Sequence, residues 1–196
     1  MMGTPPARFK ARARFTQEAH AASQLDHENI VSISDFGITS DQRPFFVMEL
    51  LRGQTLYDRL ADSRMTIEEV VAVCVPVARA LAHAHAEGLV HRDVKAANIL
   101  LEGGLGPERA YLADFGLSRQ LSGSGGRGAD TAVAGSLETI APEQVRGSPP
   151  DGRADQYALG CVMYECLSGG PPFDGNAGMA VMWAHMQEPP PSLCAS

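Results

Sequence analysis

The chain has 196 residues, 44% of them hydrophobic and 20% charged, which suffices for one sizeable core or two small lobes sharing a cleft. That ordinary composition argues against disorder, and a net charge of −7 gives no basic footprint for nucleic acid. There is no apolar run of about 18 residues, no secretory apolar core in MMGTPPARFKARARF, and no metal or disulfide pattern in the four cysteines; a cytoplasmic protein with reduced thiols and no membrane segment in this chain is expected.

ARFKARARFTQEAHAASQL, Ala7 to Leu25, places apolar residues at roughly helical spacing and reads as a helix closed by Asp26 to Asn29. Ile30 to Gly37 alternates as a strand, Asp41 to Pro44 is a turn, and FFVMELL from Phe45 is a second strand, together forming a hairpin. RGQTLYDRLADS follows as a short helix. Thr66, with Glu69 three positions on, then has the capping-box spacing for a long helix that runs from Ile67 to Gly88. Pro76 is expected to kink that helix, and His83 and His85 near its end to face its dipole or solvent.

Gly103 to Arg109 reads as a loop and AYLADFG, from Ala110, as a short strand. Gln120 to Ser136 is rich in Gly and Ser and reads as a flexible linker. DQYALGCVMYECLSG, from Asp155, is a strongly apolar helix, and a last helix lies near Gly178 to Gln187. Strands early and helices late predict an α+β chain of two lobes, residues 1–51 and 52–196, joined near Leu51 to Gly53.

The chemistry concentrates in LVHRDVKAANILL. His91, Arg92, Asp93, Lys95 and Asn98 stand among Val94, Ile99, Leu100 and Leu101. Unpaired polar groups beside buried apolar ones are costly, so this run satisfies its charges internally or uses them on a ligand.

HRDVKAANIL, ADFGLSR, IAPEQV and DQYALG occur in that order, with the DFG aspartate sixteen residues after Asn98. One such triplet would mean little. The ordered set resembles the eukaryotic-type serine/threonine protein kinases, including those of bacteria, over nearly the whole chain. The resemblance implies a protein-kinase-like two-lobe fold with an incomplete small β lobe and a mostly helical large lobe. It implies ATP and Mg2+ as cofactors and Ser/Thr-containing proteins as substrates.

Carried over residue by residue, Asp93 is the base for the attacking hydroxyl and Lys95 serves the transferring phosphoryl group. Asn98 and Asp114 hold Mg2+, to which oxygen ligands are suited. Met48, Glu49, Leu50 and Leu51 match the gatekeeper and adenine-contacting hinge, and Leu100 lies beneath the ring. His91 and Phe115 pack under the site, Gly116 completes DFG, and Asp155 braces the HRD backbone. Glu18 matches the helix glutamate that pairs with the phosphate-binding lysine. Arg92 is suited to a phosphorylated activation loop, for which Thr131 is the first candidate acceptor, ahead of Ser122 and Ser124. Ser136 stands where the family has a threonine contacting the catalytic aspartate and lysine, and Glu143 ends A-P-E.

Two family parts have no counterpart in the sequence: the glycine-rich loop and the strand lysine. Lys10, eight residues before Glu18, sits in an Arg-rich, helix-like context. The chain is therefore expected to be a kinase domain truncated at both ends, with the last helices and the arginine that pairs with Glu143 beyond EPPP. The alternative expectation is a non-catalytic, pseudokinase-like scaffold that engages a regulator or a second kinase.

Overall fold

A computed structural model of the chain describes residues 16–41, 43–103, 109–115, 137–174 and 178–193. Helix α1 covers residues 16–23, the described part of the expected first helix. Its Ala19 is fully buried against Ile33, Phe36 and Phe46 of the hairpin that follows, and Ala22 and Leu25 enter the main core. That hairpin is β1 (Ile33–Ile38) and β2 (Pro44–Met48), antiparallel, with Phe36 opposite Phe46 and Gly37 opposite Phe45. The Phe45 ring lies close over Gly37, where an added Cβ would meet it at 3.0 Å. Alternation sends Phe46 to the α1 side and leaves Phe45 and Val47 38% and 46% exposed on the other face. Among the described residues the hairpin is thus covered on one side only.

A second sheet was not expected. Strands β3 (Gly53–Thr55), β4 (Ile99–Glu102) and β5 (Arg109–Leu112) pair antiparallel in that order. The segment read as one helix from Arg52 therefore divides. Its first residues join β4, then Thr55 caps α2 (Leu56–Asp62) by accepting a hydrogen bond from the Asp58 amide. Strand β5 stops before the expected end at Gly116, because Asp114 turns the chain with φ 59°, a left-handed conformation that aspartate tolerates. Strands are consequently not confined to the start of the chain.

The two sheets meet through a short ladder. Leu112 donates to the Asn29 carbonyl at 2.8 Å, the Val31 amide donates to Leu112 at 3.0 Å, and Ile30 bridges Leu112 in parallel.

Helix α3 (Ile67–Ala86) begins at the expected capping box, with Thr66 and Glu69 bonded reciprocally. Pro76 lies inside the helix without ending it. Val70, Val73, Cys74, Val77, Ala80, Leu81 and Ala84 form its buried stripe at spacings of three and four. Helix α4 is Pro142–Val145. Asp151 caps α5 (Gly152–Ser168), which Gly169 closes at φ 87°, and α6 is Gly178–Gln187. Helix α3 packs on α5 and β5, and their buried residues join Leu56, Ile99 and Leu112 in the main core. Among the described residues no helix is long and apolar enough to cross a membrane.

Candidate active site

The polar run found in the sequence forms a tight turn between α3 and β4, in which Asp93 pairs with Lys95 and Arg92 reaches Glu18 on α1. His91 is fully buried and sits against the Phe115 ring at 4.6 Å between centroids. Its Nδ1 accepts from the Asp93 amide at 3.3 Å, so Nε2 carries the proton and donates to the Ala113 carbonyl at 2.9 Å. Burial holds the His91 imidazole below its ordinary pKa, which agrees with this neutral form. The ring ties the turn to the segment that carries Asp114.

Arg92 adopts φ 68°, a strained value for a residue with a side chain. Asp155, 1% exposed on the first turns of α5, holds that geometry. Its Oδ2 accepts from the His91 amide at 2.8 Å, and its Oδ1 from the Arg92 amide at 2.7 Å. Each bond to a charged acceptor is worth about 1.5–3 kcal/mol.

Beyond the turn, Asp93 is 4% exposed. Its Oδ2 accepts from Lys95 Nζ at 2.8 Å and from Asn98 Nδ2 at 3.1 Å, and Asn98 Nδ2 also donates to the Asp93 carbonyl at 2.8 Å. A single 3-10 turn, Ala96–Asn98, folds Asn98 back onto Asp93. The Ala113 amide then bonds the Asn98 carbonyl at 2.9 Å, so β4 and β5 bring the two motifs side by side.

Asp114 follows directly. Its Oδ1 is buried and has no hydrogen-bond partner among the described residues. Burial pushes its carboxyl above the ordinary range; the Asp93 charge adds to this and Lys95 opposes it. A buried carboxylate oxygen without a donor among the described residues is costly to leave charged.

The other expected positions fall as follows. Met48 ends β2 and is 40% exposed, Leu50 is 90% exposed and Leu51 half-buried. Glu49 bonds Ser32 through its backbone at 3.1 Å and its side chain at 3.5 Å. Leu100 is half-buried in β4, opposite Thr55 and Tyr111. Glu143 is half-buried in α4. Gly116, Thr131, Ser136, Ser122, Ser124 and Lys10 lie outside the described residues.

Among the described residues Glu18 places Oε1 3.4 Å from Arg92 Nη1, beside a 260 Å³ pocket lined by Gln17, Glu18, Gly88, Arg92 and Phe115. One expectation changes. His85, expected to face the dipole or solvent, instead places Nε2 2.7 Å from Asp155 Oδ2. His83 lies against the His27 ring at 5.3 Å, with a buried Nε2 that has no partner among the described residues.

Comparison with known proteins gives the family. The protein kinase domain family model matches residues 5–192. The chain is 41% identical over 185 residues to the serine/threonine-protein kinase PknJ of Mycobacterium tuberculosis, covering 93% of this chain and 31% of that protein. It is 40% identical over 184 residues to the probable serine/threonine-protein kinase PknB of Corynebacterium glutamicum, covering 91% of this chain and 28% of that protein. The crystal structure of the Mycobacterium tuberculosis PknI kinase domain matches with a TM-score of 0.72 and 32% identity, over 95% of this chain and 64% of that one. The chain belongs to the protein kinase domain family, and its fold is the α+β protein kinase fold. It spans about three-tenths of the length of these curated relatives.

Proposed function

We propose that the chain is the central part of a serine/threonine protein kinase domain, acting in the cytoplasm on Ser or Thr hydroxyls of protein substrates. Residues 1–51 supply the small-lobe portion and residues 52–196 the large-lobe portion. The observation that carries this reading is the convergence of Lys95 and Asn98 on one oxygen of Asp93, at 2.8 and 3.1 Å, with an oxygen of Asp114 that has no partner among the described residues.

In this reading Asp93 orients the substrate hydroxyl and accepts its proton. Lys95 places positive charge on the transferring phosphoryl group, where charge stabilisation matters most. Met48, Glu49, Leu51 and Leu100 line the adenine side. The donor set suits Mg2+: Asp114 offers a carboxylate oxygen, and Asn98, whose Nδ2 is used on Asp93, has its Oδ1 left for the ion. Bound Mg2+ supplies charge to the nucleotide phosphates. Thr131 and Ser136 belong to the regulated loop, Glu143 to its anchor, and Arg92 to phosphate recognition there.

The test is transfer of labelled γ-phosphate from Mg·ATP to a Ser/Thr-containing basic protein. Asp93→Asn is expected to abolish labelling, and labelling that survives it overturns the assignment. A second reading, a non-catalytic scaffold for a regulator or another kinase, is favoured by the engagement of Glu18 with Arg92 among the described residues. Absence of any nucleotide-dependent thermal shift at millimolar Mg·ATP would select it.

A further inference from the structure

We infer that Tyr111 is a further contact for the nucleotide base, an aromatic wall set beside Leu100. The inference rests on the kinase reading above, which puts Leu100 on the adenine side.

The strand register brings the two residues together. Leu100 of β4 stands opposite Tyr111 of β5 on one side and opposite Thr55 of β3 on the other. Directly opposed residues share a face of the sheet, with Cβ atoms about 4.5–5.5 Å apart. The opposite face, Ile99, Leu101, Ala110 and Leu112, is at most 1% exposed and belongs to the main core. Leu100 and Tyr111 are both half-buried on the outward face. A purine is wider than one leucine side chain, so a base resting on Leu100 extends over a neighbour in the same row. Thr55 has its hydroxyl committed to Asp58 at the start of α2. Tyr111 is the neighbour that offers an aromatic surface.

The Tyr111 side chain is held in advance. Its hydroxyl donates to Glu102 Oε2 at 3.2 Å, and Glu102, two residues beyond Leu100, lies on the same face. A ring fixed at its tip loses little freedom when a ligand arrives. The same two strands also present the metal-ligand candidates. Asn98 directly precedes β4, and Asp114 lies two residues after β5. The base contact and the metal contacts therefore succeed one another along a single ladder. Contact with an aromatic ring serves the base alone, so it acts without phosphate or metal.

The test is saturation transfer from the 196-residue chain to adenosine and to Mg·ATP. Only the tyrosine rings of the chain carry protons; every other site is deuterated. Saturating those rings should reach the carbon-bound protons of the adenine ring. Tyr111→Phe, with phenylalanine deuterated, should abolish the transfer although Tyr57, Tyr157 and Tyr164 remain. Its affinity for adenosine should stay within about threefold, because the ring is kept and only the Glu102 bond is lost. Tyr111→Ala should weaken adenosine and Mg·ATP alike by about tenfold, as loss of a base–aromatic contact does. A merely structural role would change affinity without any tyrosine-to-base transfer. Transfer that survives Tyr111→Phe, or is missing in the wild type while either ligand binds, overturns the inference and leaves the kinase reading standing. So does unchanged affinity in Tyr111→Ala. Failure of the wild type to bind either ligand overturns the kinase reading and the inference together.

Discussion

Glu18 Oε1 and Arg92 Nη1 stand 3.4 Å apart across 74 residues of sequence, so α1 is tethered to the turn that carries Asp93. The Arg92 side chain is 45% exposed and that of Glu18 24%, which places the pair in largely screened surroundings. A double-mutant cycle with Glu18→Gln and Arg92→Gln should give a coupling of about 0.2–1 kcal/mol in urea unfolding at low salt, smaller at high salt. A coupling indifferent to salt would contradict the exposed geometry.

Asp114→Asn should separate folding from ligand binding. Burial raises the Asp114 carboxyl, so removing its charge relieves the ligand-free fold, and asparagine tolerates the φ of 59° at this position. The melting temperature should rise by about 2–4 °C for each kcal/mol relieved. The further rise caused by Mg·ATP should vanish. A variant that melts lower alone yet keeps its Mg-dependent shift would remove Asp114 from the proposed metal site.

Glu165 on α5 predicts a pH effect. Burial first, and then the Glu138 carboxylate, push its pKa up to about 7 from 4.5. The folded chain therefore binds this proton more tightly than the unfolded one. The stabilisation it gives is complete below about pH 4.5 and is lost as pH rises through 7. Glu165→Gln should melt higher than wild type at pH 8 and at the same temperature near pH 4. A difference independent of pH would show that packing, not charge, is responsible.

Gly53→Ala tests the second sheet. A Cβ on Gly53 would lie 1.8 Å from the Leu101 carbonyl oxygen, a backbone atom of the paired strand. Strands β3 and β4 would have to separate, at a cost of about 3 kcal/mol or more in denaturant unfolding. Wild-type stability in this variant would mean that the β3–β4 pairing is wrong.

What the sequence made legible was whatever lay within a few residues. The His91–Asn98 constellation could be read because its members share one turn, and the Thr66–Glu69 cap because both partners sit on one helical turn. Contacts between distant segments were not legible. A lone histidine near the end of α3 has no local feature that announces a partner on α5, so His85 was assigned to dipole or solvent. Nothing near Glu18 in the sequence announces that, among the described residues, its side chain meets Arg92, 74 residues on. The strand Gly53–Thr55 escaped because three residues cannot display a period, and its last residue doubles as the cap of α2. Ile99–Glu102 escaped because its four residues begin as an unbroken apolar run with no polar alternation to mark a strand.

The ladder between Asn29, Val31 and Leu112 has a mechanical consequence. Leu112 is two residues from Asp114, and the hairpin begins two residues after Val31. Any tilt of the hairpin about this seam is delivered as torque to the peptide bearing the Asp114 carboxylate. Grip on the β1–β2 hairpin would thus set the aim of a single Asp114 oxygen.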